Sequence, residues 1–186
     1  MLTTTLSFAN IHSHGELFAN MPRARRDLFI GHNKWDLPEA LGMEYDQYDT
    51  PASRWVVVHD EAGRVLAGNR LTPTTAKCGM YSYMIRDAQR GLLDSIPTDL
   101  LYDAAPVGDH IWESSRLFVA HDVPASIRRK VHAQLHIQLA ETVRSPGATH
   151  GLALTPATWP RWVDRVGMKM RPLGPVLDID GVDNQV

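Results

Sequence analysis

The sequence predicts a mixed α/β (α+β) fold, one mixed sheet flanked by helices, and three observations carry that prediction. Two β-type runs, Arg54 to Val58 and Arg64 to Leu71, are joined by the turn-forming cluster Asp60-Glu61-Ala62-Gly63 and read as an antiparallel hairpin. A third β-type run, Ile111 to Ala120, leads into a long helical pattern that Pro124 opens. Beyond it, strand and helix signals alternate to the C-terminus. At 186 residues the chain suits one domain, 1–186, with no internal repeat and no low-complexity linker.

Taken in order, Ser13-His14-Gly15-Glu16 fits a capping box, and Pro22 fits the first turn of a second helix carrying Arg23, Arg25, Arg26 and Phe29. The hairpin and the third strand follow. The long helix ends near Arg144, where Ser145-Pro146-Gly147 breaks it. Gly151 to Thr155 reads as a buried strand. Thr155-Pro156 then serves as cap and first position of a helix to about Val166, with Gly167 where a C-terminal glycine belongs. Met168 to Leu173 and Val176 to Ile179 read as closing strands.

Composition removes several classes of function. With 44% hydrophobic and 22% charged residues and a net charge of -2, the chain is neither disordered nor broadly attracted to nucleic acid. No apolar run reaches membrane-spanning length and the first residues carry no basic leader, so a cytoplasmic protein with no membrane partner is expected. Cys78 is the one cysteine, which excludes an internal disulfide and a multi-cysteine zinc site. G-x-S-x-G, G-x-x-x-x-G-K-[ST] and G-x-G-x-x-G are all absent. His132 and His136 stand four apart, but Ala133 replaces the glutamate of H-E-x-x-H. Counting a calcium loop from Asp46 puts Val57 at the twelfth position, so no metal is expected.

Two stretches remain unusual. Met43-Glu44-Tyr45-Asp46-Gln47-Tyr48-Asp49 packs three carboxylates and two tyrosines into seven residues, which fits a solvated loop or a pocket for a cationic ligand. Ile111-Trp112-Glu113-Ser114-Ser115-Arg116-Leu117-Phe118-Val119 sets two opposite charges inside an apolar strand, as a structural ion pair or as working groups. In a regular strand, residues three apart face opposite ways. A bulge near Ser114 and Ser115 would bring Glu113 and Arg116 to one side and free backbone N–H groups beside the carboxylate.

Five pieces then fall in order: Arg25-x-x-x-Phe29, Trp35, Glu44-x-Asp46-x-x-Asp49, Gly68-x-Arg70-Leu71-x-Pro73-Thr74-Thr75 and Trp112-Glu113-x-Ser115-Arg116. In this order and spacing, over about residues 20 to 175, the chain resembles the LuxI-type acyl-homoserine-lactone synthases. The resemblance implies an acetyltransferase-like mixed sheet with a bulged central strand. It implies a reaction in which an acyl chain passes from acyl-carrier protein or acyl-CoA to the amine of S-adenosylmethionine. Lactonisation then releases methylthioadenosine and yields a quorum-sensing autoinducer. S-adenosylmethionine is a substrate, and no cofactor is implied.

Carried over residue by residue, the resemblance makes Glu113 the general base, with Arg116 and Ser115 beside it. It assigns substrate binding to Arg25, Phe29, Trp35, Asp46, Asp49 and Arg70, with Asp46 and Asp49 also paired to Arg25 or Arg70 in one network that Arg116 holds in place. Apart from the resemblance, Met84, Ile85, Ala153, Trp159 and Trp162 are apolar and polarizable enough to wall an acyl chain, or to be core packing alone. Ala153 falls where family members that prefer 3-oxo chains often carry threonine. Alanine donates no hydrogen bond, so a chain unsubstituted at its third carbon is expected. Arg128-Arg129-Lys130 and Arg144 give a basic surface that fits an acidic carrier protein or a plain solvated helix face. Two other readings stay open: an N-acyltransferase that acylates another amine without lactonisation, and a non-catalytic adenosylmethionine- or acyl-binding protein.

Overall fold

A computed structural model describes residues 1–164, 167 and 169–186. In chain order the strands are β1 (Leu2–Leu6), β2 (Glu39–Ala40), β3 (Met43–Glu44), β4 (Arg54–His59), β5 (Val65–Pro73), β6 (Ile111–Val119), β7 (His150–Leu152), β8 (Thr155–Pro156), β9 (Leu177–Ile179) and β10 (Val182–Gln185). The helices are α1 (Gly15–Arg26), α2 (Met84–Gln89), α3 (Ala125–Arg144) and α4 (Trp159–Asp164), and a π-helical segment, Asp27–His32, continues α1. The central sheet runs β1-β4-β5-β6-β7. Its pairs are antiparallel except β6 with β7, which are parallel and joined by the α3 crossover.

Alternation along the strands sorts the core into two layers. Trp55, Val57 and Phe118 face α1 and pack with Leu17, Met21 and Phe29. Val56, Val58, Leu71 and Trp112 face α3 and pack with Val131 and Leu135. Gly68 lies where the first layer is tightest. A Cβ there would sit 2.8 Å from the Phe118 ring and 3.1 Å from the Met21 methyl, so no side chain fits. A third apolar cluster, with Tyr83, Ile85, Leu100 and Leu152, seals the long connection between β5 and β6.

The hairpin β4–β5, the strand β6 and the long helix α3 are where the sequence puts them. Several other expectations change. Ser13 does not cap α1: it closes a short turn, and His14 precedes the helix with no side-chain cap. Asn10 already fixes that entry, accepting from the Ser7 N–H and donating to the Thr5 carbonyl. Pro22 lies inside one continuous helix rather than at the start of a second. β1 was not foreseen, although the threonines of Leu2-Thr3-Thr4-Thr5-Leu6 suit a strand. Gly151 to Thr155 is not one strand: β7 ends at Leu152, and Thr155-Pro156 pairs with β10 instead of starting a helix. Residues 169–173 form no strand, while Leu177–Ile179 does. The expected helix end at Val166, the strand start at Met168 and the side chain of Trp162 lie outside the described residues.

Candidate active site

The site lies on the α1 face of the sheet, where β5 and β6 meet the N-terminal helix. The register explains it: Arg70 pairs with Ser115 and Thr72 with Glu113, whereas Gly68 pairs with Phe118. Between those pairs β6 spends two residues, Arg116 and Leu117, against Asn69 alone. The bulge is therefore one step beyond the expected Ser114–Ser115. Arg116 carries it with φ +53, a conformation that costs a side-chain-bearing residue energy and recurs at functional positions. The result is the one the bulge was expected to give: Glu113, Ser115 and Arg116 all serve the same face.

Three arginines and three carboxylates interlock there. Arg25, from the last turn of α1, donates to Glu44 at 2.5 Å and takes Asp49 in a two-pronged pair at 2.8 and 3.0 Å. Arg70 forks onto Asp46 at 2.5 and 3.0 Å, reaches Asp49 at 3.1 Å, and donates to the Ser115 hydroxyl at 3.1 Å. Arg116 closes the ring, at 3.1 Å from both Glu44 and Asp46. The Trp55 indole N–H adds a bond to Asp49 at 3.0 Å. Arg25, Glu44 and Arg70 are fully buried, so every fork needs its partner. Burial alone would raise the Asp49 carboxyl, but Arg70 and Arg25 outweigh it and hold Asp49 well below the usual carboxylate range. Burial would likewise lower the Arg70 guanidinium, and Asp46 and Asp49 override it upward.

The carboxylates of the seven-residue acidic stretch are thus not free negative charge. The three arginines (Arg25, Arg70, Arg116) balance the three acids (Glu44, Asp46, Asp49), and the cluster is neutral as a unit. Glu113 differs. It is fully buried, and among the described residues no cationic side chain forms an ion pair with it. Its oxygens accept the backbone N–H groups of Ile85 at 2.8 Å and Met84 at 3.1 Å, where α2 begins. The expected N–H partners were to come from the bulge; the helix start supplies them instead. Burial pushes the Glu113 carboxyl up to about 7, against the lowering effect of those two N–H groups and of Arg70. A carboxyl poised there exchanges protons readily near neutral pH.

Phe29 is buried under the cluster, with the Arg116 guanidinium 5.9 Å from its ring centre. Trp35 stacks on Phe29 at 5.0 Å with the rings 4° from parallel, and the Trp35 backbone N–H donates to the Phe29 carbonyl. Trp35 remains about half exposed, 48%, so one face of a flat aromatic platform is open. Of the chain-lining candidates, Ile85 is sealed in the third cluster, and Met84 packs against it with Leu152 and Leu154. Both serve Glu113 through their backbones. Ala153 and Trp159 are half-buried, on the loop after β7 and on α4. Sequence reasoning left Glu44 and Trp55 without roles; for Trp55 the signal was its place opposite Arg70 in the hairpin register.

A bulged central strand, a β6–β7 pair that parts after three residues, and a buried carboxyl beside them define an N-acyltransferase-type architecture. The autoinducer synthase family profile matches residues 9–182, and the chain belongs to that family. An acyl-homoserine-lactone synthase of Ralstonia solanacearum is 29% identical over 180 residues, 92% of this chain and 82% of the relative. Among solved structures, the CoA-dependent acyl-homoserine lactone synthase BjaI with SAM and isopentyl-CoA superposes with a TM-score of 0.79 at 24% identity, over 98% of this chain and 80% of that one. TofI in a ternary complex with an inhibitor and MTA gives 0.76 at 26% identity, over 100% and 89%. Among the described residues no helix is long and apolar enough to cross a membrane, and no group of three or more His, Cys, Asp or Glu could hold a metal.

Proposed function

We propose that the arginine–carboxylate cluster and Trp35 seat S-adenosylmethionine, and that Glu113 takes the proton from its α-amine during acyl transfer. The activity is that of an acyl-homoserine-lactone synthase. The observation that carries the assignment of roles is the charge arrangement: a neutral cluster beside one buried carboxylate that forms no ion pair among the described residues. S-adenosylmethionine brings a sulfonium, an ammonium and a carboxylate, one net positive charge, which ionised Glu113 matches. The open face of Trp35 suits the adenine by stacking.

The ammonium first releases one proton to solvent. The neutral amine attacks the thioester carbon and its second proton passes to Glu113. As the tetrahedral intermediate collapses, the C–S bond breaks and Glu113 returns that proton to the carrier thiolate, which leaves as the thiol. The substrate carboxylate then attacks the carbon beside the sulfonium. The C–S bond breaks with its electron pair going to sulfur, and methylthioadenosine departs as the lactone forms. Ser115 has no part in covalent chemistry here: its hydroxyl accepts from Arg70, which steadies the fork on Asp46. Incubation with S-adenosylmethionine and acyl donors, followed by mass spectrometry, tests the reading. An N-acyl-homoserine lactone with equimolar methylthioadenosine is expected. An N-acylated amino acid without methylthioadenosine would establish the non-lactonising reading in its place.

For the acyl donor we favour a carrier protein docking on the start of α3. Arg128 is not part of that surface, because its guanidinium is spent on the carbonyls of Ala120, His121 and Val123 and anchors the β6–α3 loop. Arg129 and Lys130 are exposed. Reversing both to glutamate should slow reaction with acyl-carrier protein by about tenfold or more at low salt and leave reaction with an acyl-pantetheine fragment near wild type. Equal losses with both donors would rule out docking there.

A further inference from the structure

Asn69 sits in the middle of β5, fully buried, opposite the bulge and on the α3 face of the sheet. Its Nδ2 donates to the Ser115 carbonyl at 3.1 Å and to the Ser114 hydroxyl at 2.9 Å. A carbonyl only accepts, so these bonds fix which end of the amide is which. The other end, Oδ1, is buried and takes no hydrogen bond. Ser114 accepts from Asn69, and among the described residues its own O–H has no acceptor. Native structures rarely leave a buried acceptor such as Asn69 Oδ1 unpaired beside an apolar layer, here that of Val56, Leu71 and Trp112, while the half-buried Ser114 hydroxyl keeps its proton free for a partner. One unused acceptor and one unused donor therefore stand side by side.

Their position gives them a ligand. β6 and β7 pair only as far as Glu113 with Leu152, where β7 ends while β6 runs on to Val119. Leu152 shares the Glu113 face, and Ala153, the next residue, leaves the strand where the register would have brought it to Ser114. For a thioester whose carbonyl carbon reacts beside Glu113, the edge of β6 left unpaired beyond Leu152 offers the chain a route. Ser114 follows Glu113 directly, so on that route the chain positions nearest the reacting carbon, the third carbon among them, are those that pass the Asn69–Ser114 pair.

We propose that Asn69 and Ser114 form a specificity site for a hydroxyl on the acyl chain, and that the preferred donor is a 3-hydroxyacyl thioester. This rests on the acyl-transfer reading and on the chain passing Ala153. A hydroxyl answers both groups at once: it donates to Asn69 Oδ1 and accepts from the Ser114 O–H. A 3-oxo group can only accept, so it sets one acceptor against another at Asn69. An unsubstituted chain leaves both unpaired. Ala153 disfavours a 3-oxo group and by itself expects a bare chain; the polar pair beside it moves that expectation to the hydroxyl.

The test is competition among 3-hydroxy-, 3-oxo- and unsubstituted acyl-pantetheine donors of one length, with products counted by mass spectrometry. The 3-hydroxy product should lead by roughly 10- to 100-fold, the ratio that one buried hydrogen-bonding group commands. Ser114→Ala should shrink that ratio, and Asn69→Val should abolish it. Because Asn69→Val also strips the Ser115 carbonyl, Ser114→Ala carries the test if that variant does not fold. The same three donors are also titrated against wild-type protein holding methylthioadenosine, which ranks affinity without turnover. Preference for the hydroxy chain there with no lactone formed would uphold the site and overturn the reaction. Lactone formation with equal use of the three chains, or a lead for the bare or 3-oxo chain, would overturn the site and leave the reaction standing.

Discussion

Replacing Glu113 by glutamine is expected to lower turnover by about 10²–10⁴-fold while S-adenosylmethionine binding weakens far less. Glutamine keeps the side-chain length but cannot accept the proton that the attacking amine must lose. The pH profile gives a second readout. Burial raises the Glu113 carboxyl to about 7, so the wild-type rate should climb with pH up to that region and then level. The amine's own titration is common to both proteins, and the difference between their profiles isolates Glu113. Stability carries the same signature with the opposite sense. A carboxyl whose folded-state pKa is raised binds its proton more tightly when folded, so stability should fall as pH rises from about 4.5 to about 7 and change little above. Urea midpoints at pH 5 and pH 8 should show that decline in the wild type and not in the variant. Turnover within tenfold of wild type, or matching pH profiles, would remove Glu113 from the role of base.

The same residue shows why parts of the site were legible in the sequence. An apolar strand carrying Glu113 and Arg116 three apart is a parity conflict, and a bulge is the local device that resolves it. Its consequence was readable; its position was off by one residue, because the register depends on β5, where Gly68 must meet Phe118. The partners of Glu113 were not readable. They are backbone N–H groups from Met84 and Ile85, some thirty residues away, and backbone donors leave no mark in side-chain identity. The acidic stretch gave away its importance but not its charge balance. The pairing of Asp46 and Asp49 with Arg25 and Arg70, and Arg116's place in that network, were expected through the family resemblance; nothing local shows that Glu44 joins them and brings three acids into balance with three arginines. The misread elements share a cause as well: Thr155-Pro156 has the residues of a helix start, and only the remote strand β10 draws it into a sheet.

Arg70→Met should cost about 3–5 kcal/mol of folding stability, the usual penalty for breaking a buried ion-pair network from one side. Methionine keeps the apolar stem but removes the fork on Asp46, the contact with Asp49 and the bond to Ser115. Asp49 would keep Arg25, and Asp46 would keep Arg116, so the variant retains enough of the cluster to be studied. The acid limb sets the sign. Asp49 has a depressed carboxyl in the folded protein, so it contributes stability that is fully present above its unfolded value, about 3.9, and is lost as pH falls toward the folded value. Without Arg70 the folded value should rise toward the ordinary range. Less stability is then gained above pH 4, and acid unfolding begins at a higher pH than in the wild type. Substrate should report the same break, because a cluster left with three carboxylates against two guanidinium groups no longer presents a neutral, rigid floor beside Glu113. Calorimetric titration should therefore show weakened S-adenosylmethionine binding in the folded fraction. A cycle with Asp46→Asn should give a coupling energy above about 1 kcal/mol, since the two residues share a two-pronged contact. A stability loss below about 1 kcal/mol, with an unchanged acid midpoint, would mean that the fork is ornamental and that the floor of the site is held by Arg25 and Arg116 alone.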